Sequence, residues 1–243
     1  VATYAALAHT TWIGPYDLTG DTSALELNLS HEPQECTPFG SVAMKRVAGL
    51  RDTETQVEGY WDVADDGVDE TLFGQLAGLQ VVTHTVSGTE LDTAYTYQAK
   101  SYSYQFGGQV GEVAPYTLQA QGARGNGTLS VGAIRGRLLK AKGDVSATGA
   151  LGSGYQLGAV GATQFLYGSF HIFSAGTTIT VVLESDDNSD FTSATTRATL
   201  GPLTTTGGTW ATRVAGAITD DYYRFRVTAI TGTFNVAGVA GIK

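Results

Sequence analysis

Cysteine occurs once in this 243-residue chain, at Cys36, so no internal disulfide can hold the fold together. The expected state of Cys36 is a reduced thiol packed as a small hydrophobe. Charged residues make up only 15%, against roughly a quarter in an ordinary soluble domain, so Thr, Ser, Gly and Gln must cover much of the surface. Basic residues are fewer than acidic ones, 14 against 23, giving a net charge of -9. Such a surface repels a phosphate backbone and excludes tight nucleic-acid binding. No stretch approaches the ~20 apolar residues of a membrane helix, and no membrane insertion is expected. Val1–Thr11 lacks the basic region and apolar run of a secretory signal. A chain that begins with small Val1 is expected to be made in the cytoplasm and trimmed of its Met. Proline is scarce at 5 residues, and the 32 glycines follow no Gly-X-Y period, which excludes collagen.

What is present is strand pattern. Hydrophobic residues reach 42%, enough for a core, and the glycines suit the tight turns of many short strands. Ser23–Ser30 alternates Ala24, Glu26 and Asn28 against Leu25, Leu27 and Leu29, a strand with one wet and one buried face. Asp52–Trp61 puts Glu54, Gln56 and Glu58 on one face and Val57 and Trp61 on the other. Gln80–Val86, Ala94–Phe106 and Ala114–Gln121 are further strands rich in β-branched and aromatic residues. One helix is predicted over Asp69–Leu76, with acids in its first turn, an apolar stripe of Leu72, Phe73 and Leu76, and Gly78 placed to end it.

Lys142–Gly154 turns to small residues and reads as a domain boundary, dividing the chain into 1–148 and 149–243. The second part shows strand signals at Gln164–Phe173, Thr177–Ser185, Ala194–Leu200, Trp210–Val214, Tyr222–Thr231 and Phe234–Val239, the spacing of a β-sandwich. Residues 1–148 carry a net charge of -8 and residues 149–243 only -1. The acidity belongs to the first part.

Chemistry is harder to find. His9, His31, His84 and His171 show no metal-ligand spacing, and His84 and His171 read as packed or hydrogen-bonded strand residues. No G-x-S-x-G elbow or phosphate-binding loop exists; a hydrolase assembled in space has no visible nucleophile. Asp186-Asp187-Asn188-Ser189-Asp190 opens like a calcium loop. Phe191 stands where that loop needs Gly and Arg197 where it needs Glu, so a strand-to-strand turn is expected. Asp62–Glu70 reads as a turn and a helix start. Asn28 and Asn126 head glycosylation-type triplets that carry no meaning without secretion. No cofactor, metal or catalytic residue is expected.

The order of several short motifs resembles the major tail tube proteins of long-tailed (siphovirus-type) bacteriophages. Those motifs are Asp17-Leu18-Thr19-Gly20-Asp21, Thr37-Pro38-Phe39-Gly40, Gly49-Leu50-Arg51-Asp52, Gly59-Tyr60-Trp61-Asp62 and the helix that follows. Ile218–Ile242 resembles the closing strand pair of phage virion proteins. Pro38 inside T-x-F-G and a second domain larger than the simplest tube subunits need are departures. The resemblance implies an all-β fold: an N-terminal tail-tube-like sandwich or barrel with one short helix and a long loop, plus a C-terminal sandwich on the tube exterior. It implies homo-oligomeric, typically hexameric, rings stacked into a tube in the virion. Initiator, terminator and tape-measure proteins are the implied partners, and the genome passes through without specific binding.

On that model Glu54, Gln56 and Glu58 are the lumen-facing row, with Gln98, Lys100, Gln119 and Gln121 as weaker candidates. Lys45, Arg46 and Arg51 lie in the loop expected to join ring to ring or subunit to subunit. A competing reading is a binding module, either a carbohydrate-binding sandwich or a capsid or tail decoration protein. In it Trp210, Tyr222 and Tyr223 would stack on a sugar.

Overall fold

The computed structural model describes residues 9–40, 42–64, 67–75, 78–122 and 131–243. Its elements in chain order are β1 (Thr10–Ile13), β2 (Tyr16–Asp17), β3 (Thr22–Glu35), β4 (Arg46–Tyr60), α1 (Val68–Gln75), β5 (Gln80–Thr85), β6 (Thr93–Phe106) and β7 (Pro115–Gly122). There follow β8 (Ile134–Val145), β9 (Gly149–Gln156), β10 (Phe165–Ser174), β11 (Thr178–Asp186), β12 (Thr195–Leu203), β13 (Gly207–Trp210), β14 (Val214–Ala215), β15 (Tyr222–Thr231) and β16 (Phe234–Ile242). The fold is all-β, and α1 is the one helix among the described residues.

The chain forms two compact units. Unit 1 comprises 1–20, 80–97 and 134–243, and unit 2 comprises 21–79 and 98–133. This division does not coincide with the 1–148/149–243 boundary expected from composition. Lys142–Gly154 is not a linker: β8 ends and β9 begins there, and β8 pairs with β16 far along the chain, Phe234 opposite Val145 and Gly241 opposite Gly136. The small residues are those of β9, which pairs β15 alone at the edge of its sheet.

Unit 1 holds two antiparallel layers. One runs β13-β10-β16-β8-β6-β5-β1-β2, joined by the first residues of β6, and the other is a four-stranded sheet in the order β12-β11-β15-β9. Period-two alternation aims Phe170 and Ile172 of β10, Val181 and Leu183 of β11, and Tyr223, Phe225 and Val227 of β15 into one core. Each such side chain contributes roughly 1.5–3 kcal/mol when fully buried. Gly238 of β16 keeps that core closed, since a Cβ there would stand 2.8 Å from the Phe225 ring and 3.1 Å from Phe170. The opposite face of the first sheet buries Trp12, Ala94, Leu138, Ala237 and Val239. That sheet curls on itself, because Gly208 of β13 lies so close to β5 that a Cβ would meet Val81 at 2.7 Å.

Curling brings a polar layer together. His171 Nδ1 lies 2.7 Å from the Gly14 carbonyl and Nε2 lies 2.8 Å from Thr83 Oγ1. Thr83 continues to Thr96 at 3.0 Å and Thr96 to Ser169 at 2.9 Å. All four side chains are buried, so the network satisfies groups that would otherwise be costly to enclose. His84 is likewise buried, with Thr11 Oγ1 3.3 Å from its Nδ1. Both histidines are the packed strand residues expected.

Unit 2 is the β3-β4-β7-β6 sheet, using β6 from Ala99 onward, with α1. Thr53, Thr55 and Val57 of β4 and Tyr116, Leu118 and Ala120 of β7 are buried on one face. The helix begins one residue earlier than expected and buries Val68 and Leu72 at i and i+4. Phe73, expected in its apolar stripe, is exposed, and Leu76 lies outside the described residues. Asp69 ties the helix down by accepting hydrogen bonds from Trp61 Nε1 (3.1 Å) and Tyr104 OH (3.0 Å). Burial, then the Asp69 carboxylate, pushes the Tyr104 hydroxyl well above its usual range.

Candidate assembly surfaces

The other face of the unit 2 sheet is built by register. Residues of one parity share a face of a strand, and antiparallel pairing aligns these parities across strands. Glu26 of β3 stands opposite Gln56 of β4, which stands opposite Gln119 of β7, which stands opposite Ser103 of β6. Ala24, Glu58, Thr117 and Gln105 form a parallel row, and Asn28, Glu54 and Gln121 a third. With Asp52, which stands opposite Ser30 one step further along, the face carries four carboxylates, Glu26, Asp52, Glu54 and Glu58. Gln56 Nε2 donates to Glu58 Oε1 at 2.7 Å, and Gln119 Nε2 reaches Gln56 Oε1 at 3.5 Å. Strands ~4.8 Å apart with alternate residues ~6.8 Å apart make this a continuous polar field.

The expected row Glu54, Gln56 and Glu58 is therefore one line of a wider field. Gln119 and Gln121 belong to it by register. Lys100 is exposed at the point where the β6–β7 register shifts, between Ala99 and Ser101, and has no cross-strand partner in that register. Glu26, Thr117, Ser103 and Gln105 were not picked out from sequence. The alternation of β3 was legible, but not the pairing that aligns it with β4.

The remaining surface of unit 2 is unusually apolar. Every exposed large hydrophobic side chain among the described residues lies in this unit. One group, Leu29, Phe39, Val42, Met44, Val47 and Leu50, occupies the β3–β4 hairpin arm. The other, Tyr60, Val63, Phe73, Phe106, Val110 and Val113, occupies the far end. Leu50 and Tyr60 are ten residues apart on β4, about 33 Å at the rise of a strand. Lys45, Arg46 and Arg51 are exposed on the arm. The arm is held by Cys36 N–H donating to the Lys45 carbonyl (2.9 Å) and Lys45 N–H donating to Thr37 Oγ1 (3.0 Å). Cys36 is exposed, not packed inside as expected, because the arm stands beyond the buried sheet.

β3 pairs β4 alone, which leaves its outer edge open among the described residues. A fourteen-residue edge strand is a ready template for pairing with another chain.

The titratable clusters of unit 1 among the described residues are accounted for by packing and hydrogen bonding. Burial, with the charge of His9 a lesser cause, lowers His84 to about 3. Burial lowers His171 to about 4. Both imidazoles are neutral and enclosed. Ser185 donates to Asp220 (2.7 Å), which also pairs Arg197 (2.7 Å), with no histidine in the set. The Asp186 loop closes on itself: Asp186 accepts the backbone N–H groups of Asn188 (3.1 Å) and Ser193 (2.8 Å). Phe191, at the position where a calcium loop needs Gly, takes a φ of 54° and packs its ring under Arg224 at 4.0 Å. Of the residues proposed for sugar stacking, Tyr223 is fully buried with its hydroxyl donating to the Asp220 carbonyl (2.8 Å), while Trp210 and Tyr222 are half-buried.

No family model matches the chain, and no curated protein matches it. Solved structures do. A chain of the virion of a native gene transfer agent particle is 16% identical, with a TM-score of 0.36, covering 43% of this chain and 82% of that one. A chain of the tail of an empty gene transfer agent particle, determined with C6 symmetry, is 17% identical, with a TM-score of 0.37 over 46% and 90%. The Dit protein of phage SPP1, described as a paradigm of the hub adsorption apparatus of phages that infect Gram-positive bacteria, is 12% identical, with a TM-score of 0.39 over 97% and 99%. The structures this chain is similar to are thus virion, tail and hub proteins of phages and phage-like particles.

Proposed function

We propose that this chain is a structural subunit of a phage tail that works by assembling with itself, and that it is the major tail tube protein. The observation that carries the reading is the polar face of unit 2, a field spanning β3, β4, β7 and β6 on which the register lines up the carboxylates Glu26, Asp52, Glu54 and Glu58. A conduit for DNA needs a wall that the phosphates do not adhere to. Like charge supplies that, acting within the ~8 Å over which physiological salt leaves charges unscreened. The open β3 edge fits lateral pairing between copies. Ring closure removes such an edge altogether, and six-fold rings are what the motif resemblance implies. Residues 149–243, which lie within unit 1, are assigned with that unit to the outside of the tube. Initiator, terminator and tape-measure proteins are its partners, the virion tail its location and the host bacterial cytoplasm its place of synthesis. The role is mechanical, not catalytic.

The test is charge reversal on the face. Assembled Glu54→Lys/Glu58→Lys rods should retain linear DNA at low salt and release it as salt rises, while wild-type rods retain none. Equal retention by both would remove these residues from the lumen.

A further inference from the structure

Packing and pairing leave two side chains with donors to offer on the outer face of the four-stranded sheet of unit 1. Alternation turns Tyr223, Phe225 and Val227 of β15 into the core, so Arg224 and Arg226 stand together on the other face, about 6.8 Å apart along the strand. Glu184 of β11 lies opposite Arg224, and Ala150 of β9 lies opposite Arg226. Arg224 Nε donates to Glu184 Oε1 at 2.6 Å, and its guanidinium lies 4.0 Å from the centre of the Phe191 ring. Phe191 reaches that place with a φ of 54°, a strained conformation for a bulky residue. Gly154 admits the ring, because a Cβ there would overlap it. A buried carboxylate, an aromatic ring and a strained backbone thus hold one guanidinium still. Stability alone does not call for this, since a buried ion pair is often no more stable than apolar side chains of the same volume. Neither Nη of Arg224 has a hydrogen-bond partner among the described residues. Arg226, 52% exposed, approaches Glu184 only to 4.0 Å, beyond hydrogen-bond distance.

We propose that Arg224 and Arg226 form an oxyanion-binding site whose ligand is a repeating anionic polymer of a cell surface, bearing phosphate or carboxylate groups. The pair presents planar donors, and a guanidinium held in advance loses little freedom when it grips such a group. The carboxylates on the same face are engaged: Glu184 by Arg224, and Asp186 by the backbone N–H groups of Asn188 and Ser193. Asp187 and Asp190, exposed on the loop that carries Phe191, repel free anions and keep any single contact weak. A flexible polymer can seat one oxyanion and hold its neighbours away from these acids. It offers the same group repeatedly, as a row of subunits offers the same site, and together they turn weak contacts into retention. Duplex DNA, stiff and densely charged, needs a wider basic surface than two arginines. The site goes beyond the tube reading and rests on it only for the row of subunits.

The test supplies the row without rods. The full chain is coupled densely to a sensor surface through Cys36, its only cysteine, which is exposed and belongs to unit 2. Polyglycerol phosphate, polygalacturonate and duplex DNA are passed over it in turn. The expected result is retention of at least one of the first two at low salt, with release as salt rises; which one is held tells phosphate from carboxylate. Arg226→Ala, at an exposed position, should cut retention about tenfold or more. Arg224→Lys keeps the charge but not the stacked plane and should do the same with an unchanged circular dichroism spectrum. Arg213→Ala removes an equal charge elsewhere in unit 1 and should leave retention unchanged. No retention of either polymer, retention indifferent to Arg226→Ala, an equal loss with Arg213→Ala, or DNA held as strongly as the polymers overturns the proposal. Electron microscopy of the same protein separates the two claims. Rods from a chain that retains neither polymer sink the site and leave the tube reading standing. Retention by a chain that builds no rods even on isolated tail initiators supports the site and sinks the tube.

Discussion

Replacing His171 with Gln should flatten the acid sensitivity of unit 1. Burial holds His171 at about 4 and His84 at about 3, against an ordinary 6.5. Both pKa values are depressed in the folded state, so the unfolded chain binds more protons as pH falls below 6.5. Stability is therefore full above pH 6.5 and is lost toward each folded pKa. At ~1.4 kcal/mol per pH unit, each histidine removes about 2.5 kcal/mol between pH 6.5 and about 4.5, and the pair about 5 kcal/mol. That is a large part of an ordinary domain's roughly 5–15 kcal/mol. Asp17 and Asp220 act below this window. Burial raises Asp17, but hydrogen bonds from Lys142 and Thr19 outweigh it and hold the group below 3.8. Asp220 is held below the same value chiefly by Ser185 and by Arg197.

His171→Gln loses contacts to Gly14 and Thr83 and should start about 1–3 kcal/mol less stable at neutral pH, with only the His84 part of the acid slope remaining. Urea unfolding at a series of pH values measures this. Trp12, whose ring centroid lies 5.7 Å from that of His171, reports on unit 1 by fluorescence. A wild-type midpoint that does not move between pH 6.5 and 4.5, or a variant slope equal to that of wild type, would refute the assignment of these imidazoles as neutral and enclosed.

Asp69→Ala removes the acceptor shared by Trp61 and Tyr104 and should cost unit 2 about 1–3 kcal/mol, seen as a shift in Trp61 fluorescence and a lower urea midpoint. Gly136→Ala would place a Cβ 2.1 Å from the Ala240 carbonyl oxygen. The β8–β16 pair must then separate, and the expected loss is about 1–3 kcal/mol in thermal unfolding of unit 1. Arg224→Met leaves the buried Glu184 carboxylate without its 2.6 Å partner and with Arg226 at 4.0 Å. A destabilisation of about 3 kcal/mol at neutral pH is expected, read from the urea midpoint.

Much of the strand content was legible because period-two alternation is local. The pattern of Glu54, Gln56 and Glu58 against Val57 needs only a few neighbouring residues to be read, and the sheet keeps it. What local pattern could not carry was pairing at a distance. β8 meets β16, and β3 aligns its polar parity with that of β4, so the face is a property of register and not of any one segment. The same holds near residue 150, where glycine and alanine that read as a domain boundary build the edge strand β9. The helix was found by its acids and apolar residues. Its buried stripe was misjudged because Phe73 turns outward while Val68, left out of the predicted span, turns in. Cys36 and the arm residues are exposed for the reason that makes them interesting: nothing within their own unit covers them.

The most direct test of the tail tube account is electron microscopy of the purified chain at high concentration, alone and with tail particles of its source. The account predicts hollow rods or stacked rings of uniform width, and this chain as the main protein of the isolated tails. Small monodisperse particles under every condition, together with its absence from isolated tails, would contradict it.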